Sequence, residues 1–397
     1  VLVSTIELFT RARRAEHLGI KGAERLRLDW PAVIARKNQI VANWSKSKEA
    51  TPGTLGIPVL RGHAVFASAH EISVDGRNHS AEKFVIATGS KPAQPAIPGA
   101  ERAITSDELL NLKEQPERLV VIGGGFIGLE FGFALARAGT QVTLLQSGAQ
   151  IAPALDHDMR ALLMESAGDA GMTIKTNVKV TGIAADKMVE TEIDGQKESF
   201  LADQVLLATG RPSNVAPLNP QAAGIEVDHS AVKVNEYLQS VSAPHIYAAG
   251  DAAGKHQHSP VAWYEGPIAA HNALKGNQRK VDFGIFPSAI FTIPAVGQVG
   301  LTEEEALKRG LKVKTGKLPY DYNPAAGVRD ETEGLVKVVY EAETETILGV
   351  HVIGAHAEDI IQIAAAAMRG GLKKSEVGAM HYVFPTFGGA IFDTMAA

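Results

Sequence analysis

The stretch VVIGGGFIGLEFGFALARAG, residues 120–139, constrains the fold more than any other part of the chain. Gly123, Gly125 and Gly128 follow an apolar strand-like run and open a helix-like one. In a strand–turn–helix unit the first glycine permits the tight turn. The second lets the backbone approach a pyrophosphate, and the third lets the helix pack close to the strand. A phosphate at that place rests on the first-turn amides of the helix. The pattern predicts a strand over 119–123, a helix over 126–138 stopped by Gly139, and a second strand over 141–145. The unit therefore reads as a dinucleotide-binding β-α-β turn. About twenty residues on, an acidic residue commonly bonds the adenosine ribose. Gln146 stands there instead. Its neutral amide can bond a ribose hydroxyl without repelling a phosphate, and no arginine follows to hold a 2′-phosphate, so both NAD and NADP stay open.

At 397 residues the chain is long enough for two to three domains. Helices are predicted over 1–18, closed by Gly19, and over 28–48, with short strands over 59–66 and 70–76. The run KFVIATGSKP (83–92) reads as a buried strand entering a glycine turn, and PAQPAIPG (92–99) as a connector. LLATGR near 206–211 looks like a second copy of the VIATGS ending. IYAAGD (246–251) is a further strand ending in Gly-Asp, followed by a helix over 261–275. From Phe283 onward the composition turns β-rich, with helices expected over 302–310 and 357–370, which marks an α+β domain.

A net charge of −5 with no dense Lys/Arg block argues against a general nucleic-acid or anionic-membrane binder. The apolar run 360–368 is far short of a bilayer span, and no signal-peptide pattern opens the sequence, so a cytoplasmic location is expected. The chain contains no cysteine. That excludes disulfides, thiolate metal sites and a redox dithiol within these residues.

The ordered set IATGSKPAQPAIPG, VVIGGGFIGLE, LLATGRPSN, IYAAGD, FPSAIFTIPAVGQVGLTEEEA, ILGVHVIG and FPTFGG resembles the pyridine nucleotide-disulfide oxidoreductase family. The likeness runs the length of the sequence. It implies an α/β chain with two Rossmann-like nucleotide-binding domains, for FAD and for NAD(P)H, and a C-terminal α+β domain that makes a homodimer. By that resemblance the FAD domain covers 1–97 and 223–283, the NAD(P) domain 98–222 and the interface domain 284–397. Gly123, Gly125 and Gly128 would cradle the nicotinamide dinucleotide, with Gln146 at its ribose. Glu130 would lie near nicotinamide and flavin, and Phe126 would stand where relatives have a gating tyrosine. Thr88 and Gly89, with Gly210 in the twin turn, would lie beside the cofactors. Gly250 and Asp251 would hold the ribityl and phosphate region of the flavin.

Departures from the family pattern shape the functional expectation. The family opens with a further strand–GxGxxG–helix unit of about forty to fifty residues that would precede Val1. Its redox cysteine pair would lie in the same segment, and a C-terminal cysteine pair of the mercuric reductase type is excluded here. The family usually ends in His-Pro-Thr-x-x-Glu, an acid–base dyad. Aligned on Pro385–Thr386, this sequence has Phe384 for the histidine and Gly389 for the glutamate. His381 has no nearby acidic partner and is expected at an interface or on the surface. These losses point to an FAD-dependent NAD(P)H oxidoreductase passing hydride to a small non-thiol acceptor such as a quinone, with Phe384 and Phe387 forming an apolar pocket. One alternative is a dihydrolipoamide dehydrogenase-like disulfide reductase whose cysteines lie upstream of Val1. The other is a non-enzymatic nucleotide-binding dimer. No metal site is expected: HQH at 256–258 lacks a third ligand, and Asp156–His157–Asp158 reads as the start of a helix.

Overall fold

The computed structural model describes residues 1–397 and divides into two compact units. The first contains 1–38, 94–209 and 284–397; the second contains 39–93 and 210–283.

In the first unit the run RLVVI becomes the strand Arg118–Ile122, whose last four residues are buried. Near-continuous burial is what a parallel sheet covered on both faces demands. The strand pairs in parallel with Gln141–Leu145 on one side and Gln204–Leu207 on the other, and Met172–Lys175 completes the sheet. Ile122 is in register with both Leu145 and Leu207, so the strand ends align at the edge where the glycine turn begins. The helix Phe126–Arg137 buries Leu129, Phe133 and Leu135 in a core shared with Leu2 and Ile6 of the N-terminal helix Leu2–Arg14. That N-terminal helix stops earlier than predicted. A 3₁₀ turn over Ala15–Leu18 carries the chain to Gly19, which has φ +89° as a helix-ending glycine should.

The C-terminal part of this unit is an antiparallel five-stranded sheet. Its order is Ser288–Ile290, Val296–Gly300, Ile347–Ile353, Leu335–Glu341, Val313–Pro319. The helix Ala357–Arg369 buries Ile360, Ile361, Ala364 and Ala367, a 3.6-residue stripe.

The second unit holds an antiparallel meander, Ala64–Ser68, Glu71–Val74 and Arg77–Ser80, and a parallel pair, Phe84–Ile86 with Ile246–Ala248. Its core gathers Phe66, Ile86, Val215, Ile225 and Ile246. The strand expected over 59–66 is shifted to Ala64–Ser68; Val59 and Leu60 are exposed and unpaired in any sheet. The second helix, expected over 28–48, runs from Trp30 to Thr54 and carries Pro52 in its last turn, where few intrahelical bonds remain to be lost. No helix is long and apolar enough to cross a membrane.

Candidate functional site

The glycine turn of the first unit is shaped as its spacing predicts. Gly123 has φ +115°, and a Cβ there would stand 2.3 Å from the carbonyl oxygen of Ala208, just past the end of the neighbouring strand. A Cβ on Gly128 would stand 2.0 Å from the carbonyl oxygen of Gly123, so only glycine lets the helix sit this close to the strand. Gly125 is the N-cap of Phe126–Arg137, and a Cβ there would meet nothing within 4 Å. Space at that point, in front of a helix N-terminus, is what a pyrophosphate needs. The residues therefore fit a dinucleotide.

Phe126 and Glu130 lie one turn apart on the same helix, hence on one face. The Phe291 N–H donates to Glu130 Oε1 at 3.0 Å. Burial raises the Glu130 carboxyl above its usual range, and that hydrogen bond only partly opposes it. Gln146 is committed to the turn itself. The Gly124 N–H donates to its Oε1 at 2.9 Å, and its Nε2 donates to the Gln150 carbonyl at 3.2 Å.

The second unit brings together Gly89, Gly210, Gly250 and Asp251 through the residues that follow the twin turns. Ser90 donates to Asp251 Oδ2 at 2.5 Å, and Arg211 Nε donates to Ser90 Oγ at 3.0 Å. Ser213 Oγ donates to the Asp251 carbonyl. The Gly210 carbonyl accepts from the Ala93 N–H at 2.9 Å, and the Gly89 carbonyl from the Asn214 N–H at 2.8 Å. Thr88 is exposed at the end of the strand Phe84–Ile86. Gly250 has φ +65°, and a Cβ there would come 2.9 Å from Ala262. Its N–H donates to Glu265 Oε2 at 2.6 Å; burial raises the Glu265 carboxyl, which this bond partly opposes. A carboxylate that already accepts a hydroxyl hydrogen bond, in the turn just after a buried strand, suits the sugar-alcohol chain of a flavin. The helix that follows begins at Ser259 with His258 as N-cap, so Asp251 is not a cap for it. Ser90, Arg211 and Glu265 were not singled out from sequence. The signal for the first two was their place directly after the matched ATG endings.

At the C-terminus the structure separates the two phenylalanines expected to share a pocket. Phe384 is 67% exposed, whereas Phe387 is buried in the core of the C-terminal sheet. Phe387 packs on Tyr320 and His356, with the Arg329 guanidinium 5.4 Å from its ring centre. The expected shared pocket is corrected: an apolar ring next to a sheet core is drawn inward, and Phe387 lines no open surface. A Cβ on Gly389 would stand 2.8 Å from the Tyr382 ring. Tyr382 in turn donates to Asp393 at 2.5 Å. The tyrosine ring thus covers the place a longer side chain at 389 would take. His381 is exposed.

Residues 16–273 match the family described as pyridine nucleotide-disulphide oxidoreductase, and 286–394 match its dimerisation domain. The chain belongs to the pyridine nucleotide-disulphide oxidoreductase family. Within that family it is similar to a mercuric reductase of Staphylococcus aureus, 40% identical over 80% of this chain and 59% of that one. It is also similar to a dihydrolipoyl dehydrogenase of Thermus scotoductus, 34% identical over 100% of this chain and 87% of that one. Among solved structures it resembles the HOCl-induced flavoprotein disulfide reductase RclA of Escherichia coli in its Cu(II) complex. That match has a TM-score of 0.88 at 27% identity and covers 100% of this chain and 88% of the other. The chain spans 56% to 64% of the length of three mercuric reductases it matches. Family members are FAD-dependent oxidoreductases with NAD(P)H as substrate, and the α/β fold agrees with those flavoprotein structures.

One charged cluster lies apart from these turns. Asp156 caps the helix His157–Asp169, as expected, by accepting from the Asp158 N–H. It does more: Lys337, fully buried on the strand Leu335–Glu341, donates to both Asp156 oxygens at 2.9 Å and to Asp158 at 2.6 Å. Glu303 stands 2.7 Å from the same ammonium. Asp156, His157 and Asp158 have ligand atoms within 4.8 Å of one another, but the lysine already supplies the cation.

Proposed function

We propose that this chain forms the flavin-binding, NAD(P)H-binding and dimerisation parts of a disulfide reductase of the dihydrolipoyl dehydrogenase kind, whose redox cysteines lie upstream of Val1. One observation carries the reading. The glycine turn, Phe126 and the partly desolvated Glu130 come on the first turns of a single helix, so phosphate cradle and nicotinamide-facing groups are set by one rigid element. The mercuric and dihydrolipoyl relatives support a dithiol rather than a quinone as electron carrier.

In this reading 98–222 hold the nicotinamide coenzyme and 1–97 with 223–283 hold FAD. Residues 284–397 pair two copies, and the protein works in the cytoplasm. Bound flavin supplies two-electron chemistry between nicotinamide and disulfide. The chain's own residues do the positioning. Gly123, Gly125 and Gly128 admit the pyrophosphate. Glu130, anchored by the Phe291 N–H, offers its other oxygen to the nicotinamide carboxamide. Phe126 gates that face. Asp251 accepts from ribityl hydroxyls, with Thr88, Gly89, Gly210 and Gly250 shaping the turns around it. A second reading, transfer to a non-thiol acceptor such as a quinone, is favoured by Phe384 and Gly389, which leave no acid–base pair where the family keeps one.

The test is NADH- and NADPH-dependent reduction of lipoamide and of a benzoquinone, side by side, by the full-length protein with flavin loading read by absorbance. Lipoamide turnover at least tenfold above quinone turnover is expected. The reverse ratio would replace this reading with the second. A colourless protein that added FAD does not restore would overturn both in favour of a nucleotide-binding dimer.

A further inference from the structure

We infer that the coenzyme is NADH in preference to NADPH, and that the loop opened by Gln146 makes the choice. The inference rests on the proposed dinucleotide site at the Gly123 turn.

The loop is held in place. Gln146 spans the turn from Gly124 to Gln150 through its side chain. Its backbone N–H donates to the Lys175 carbonyl at 2.8 Å, and its carbonyl accepts from the Val178 N–H at 2.9 Å. The Gly148 carbonyl accepts from the Asn177 N–H at 3.1 Å. The loop cannot easily swing to recruit a distant cation.

Nothing in the loop is charged. Residues 146–152 read QSGAQIA, with Ser147 to Gln150 exposed. The segment bonded to the loop brings two lysines, and both are spoken for. Lys175 is 2.7 Å from Glu198, and Lys179 is 3.2 Å from Glu192. A 2′-phosphate carries roughly −1.5 to −2 charges near neutral pH and is ordinarily met by a guanidinium or ammonium. Here it would meet the neutral groups of the loop, and the two lysines of the bonded segment each already face a carboxylate. A free 2′-hydroxyl asks for less. The second amide hydrogen of Gln146 and the Ser147 hydroxyl are donors and acceptors of the right kind.

Isothermal titration calorimetry of the purified chain with NADH and with NADPH tests this without calling on turnover. NADH is expected to bind at least tenfold more tightly, and Ser147→Arg, at an exposed position, to bring the ratio to unity or below. Unchanged circular dichroism would show that the variant is folded. Equal or tighter binding of NADPH to the unaltered chain overturns the inference, as does a Ser147→Arg chain with an unchanged ratio. No heat from either coenzyme overturns the dinucleotide site itself, and the inference with it.

Discussion

Replacing Lys337 by Met removes the one cation that three carboxylates share. Lys337 and Asp156 have fully buried side chains, and the ammonium lies within 2.9 Å of Asp156, Asp158 and Glu303. Methionine fills a similar volume, so packing changes little while the charge is lost. Lys317, 2.8 Å from Asp158, still serves that carboxylate, but buried Asp156 keeps only two backbone N–H donors and the His157 ring at 3.8 Å. Removing one partner of a buried pair costs about 3–5 kcal/mol. That corresponds to a fall in melting temperature on the order of 10 °C for the unit concerned. The pH dependence gives a second check. Burial pushes the Asp156 and Asp158 carboxyls up, but hydrogen bonds from Lys337 and, at Asp158, Lys317 outweigh it and hold both below their usual range. Burial pushes Lys337 down, and the three carboxylates more than reverse that. Depressed acids stabilise above their unfolded pKa, and a raised lysine stabilises below its own. The cluster's contribution is therefore present between roughly pH 4 and pH 10 and lost outside those limits. Thermal melts followed by circular dichroism from pH 3 to pH 10 measure both effects. A Lys337→Met chain melting within about 2 °C of the unaltered one at pH 7 would refute the argument.

Gly128→Ala should cost at least tenfold in NADH affinity by calorimetry together with stability, because its methyl meets the Gly123 carbonyl at 2.0 Å. Gly125→Ala, facing open space, should weaken binding with little change in melting. Glu130→Gln should slow flavin reduction by NADH at least tenfold in stopped-flow. It should also melt slightly higher at pH 8: a raised carboxyl stabilises below its unfolded pKa, and that stability is lost as pH rises through the folded value. Gly389→Glu should destabilise by about 1–3 kcal/mol in urea titration, since its Cβ would lie 2.8 Å from the Tyr382 ring, and Tyr382→Ala should relieve that cost.

The shape of the glycine turn was legible because Gly123 and Gly128 answer to local requirements, a positive φ and close approaches, that show in a single window of sequence. Asp251 could be placed from sequence just beyond a buried strand, and it lies in the 3₁₀ turn Gly250–Ala253 that follows Ile246–Ala248. Lys337 was not legible. In LVKVVYE a lysine between valines reads as the solvent face of a strand, and its partner Asp156 lies 181 residues earlier. From sequence Asp156 reads as opening a helix, and it caps that helix, but its second role needs the tertiary fold. Gln146 shows a different limit. Its place could be counted from the glycines, yet only the structure shows its amide spent on Gly124. Phe387 fails for want of a depth signal: in FPTFGG two phenylalanines look alike, and the sheet core takes one.

The buried lysine also limits how relatives can be recombined. A chimera joined near residue 286, where the dimerisation domain begins, would draw Asp156 and Asp158 from one parent and Glu303 and Lys337 from the other. Unless both parents carry the same four residues, the hybrid inherits a buried charge without its counterpart. The seam that looks natural in sequence is therefore a poor place to cut, and functional hybrids should segregate these four positions as one heritable block.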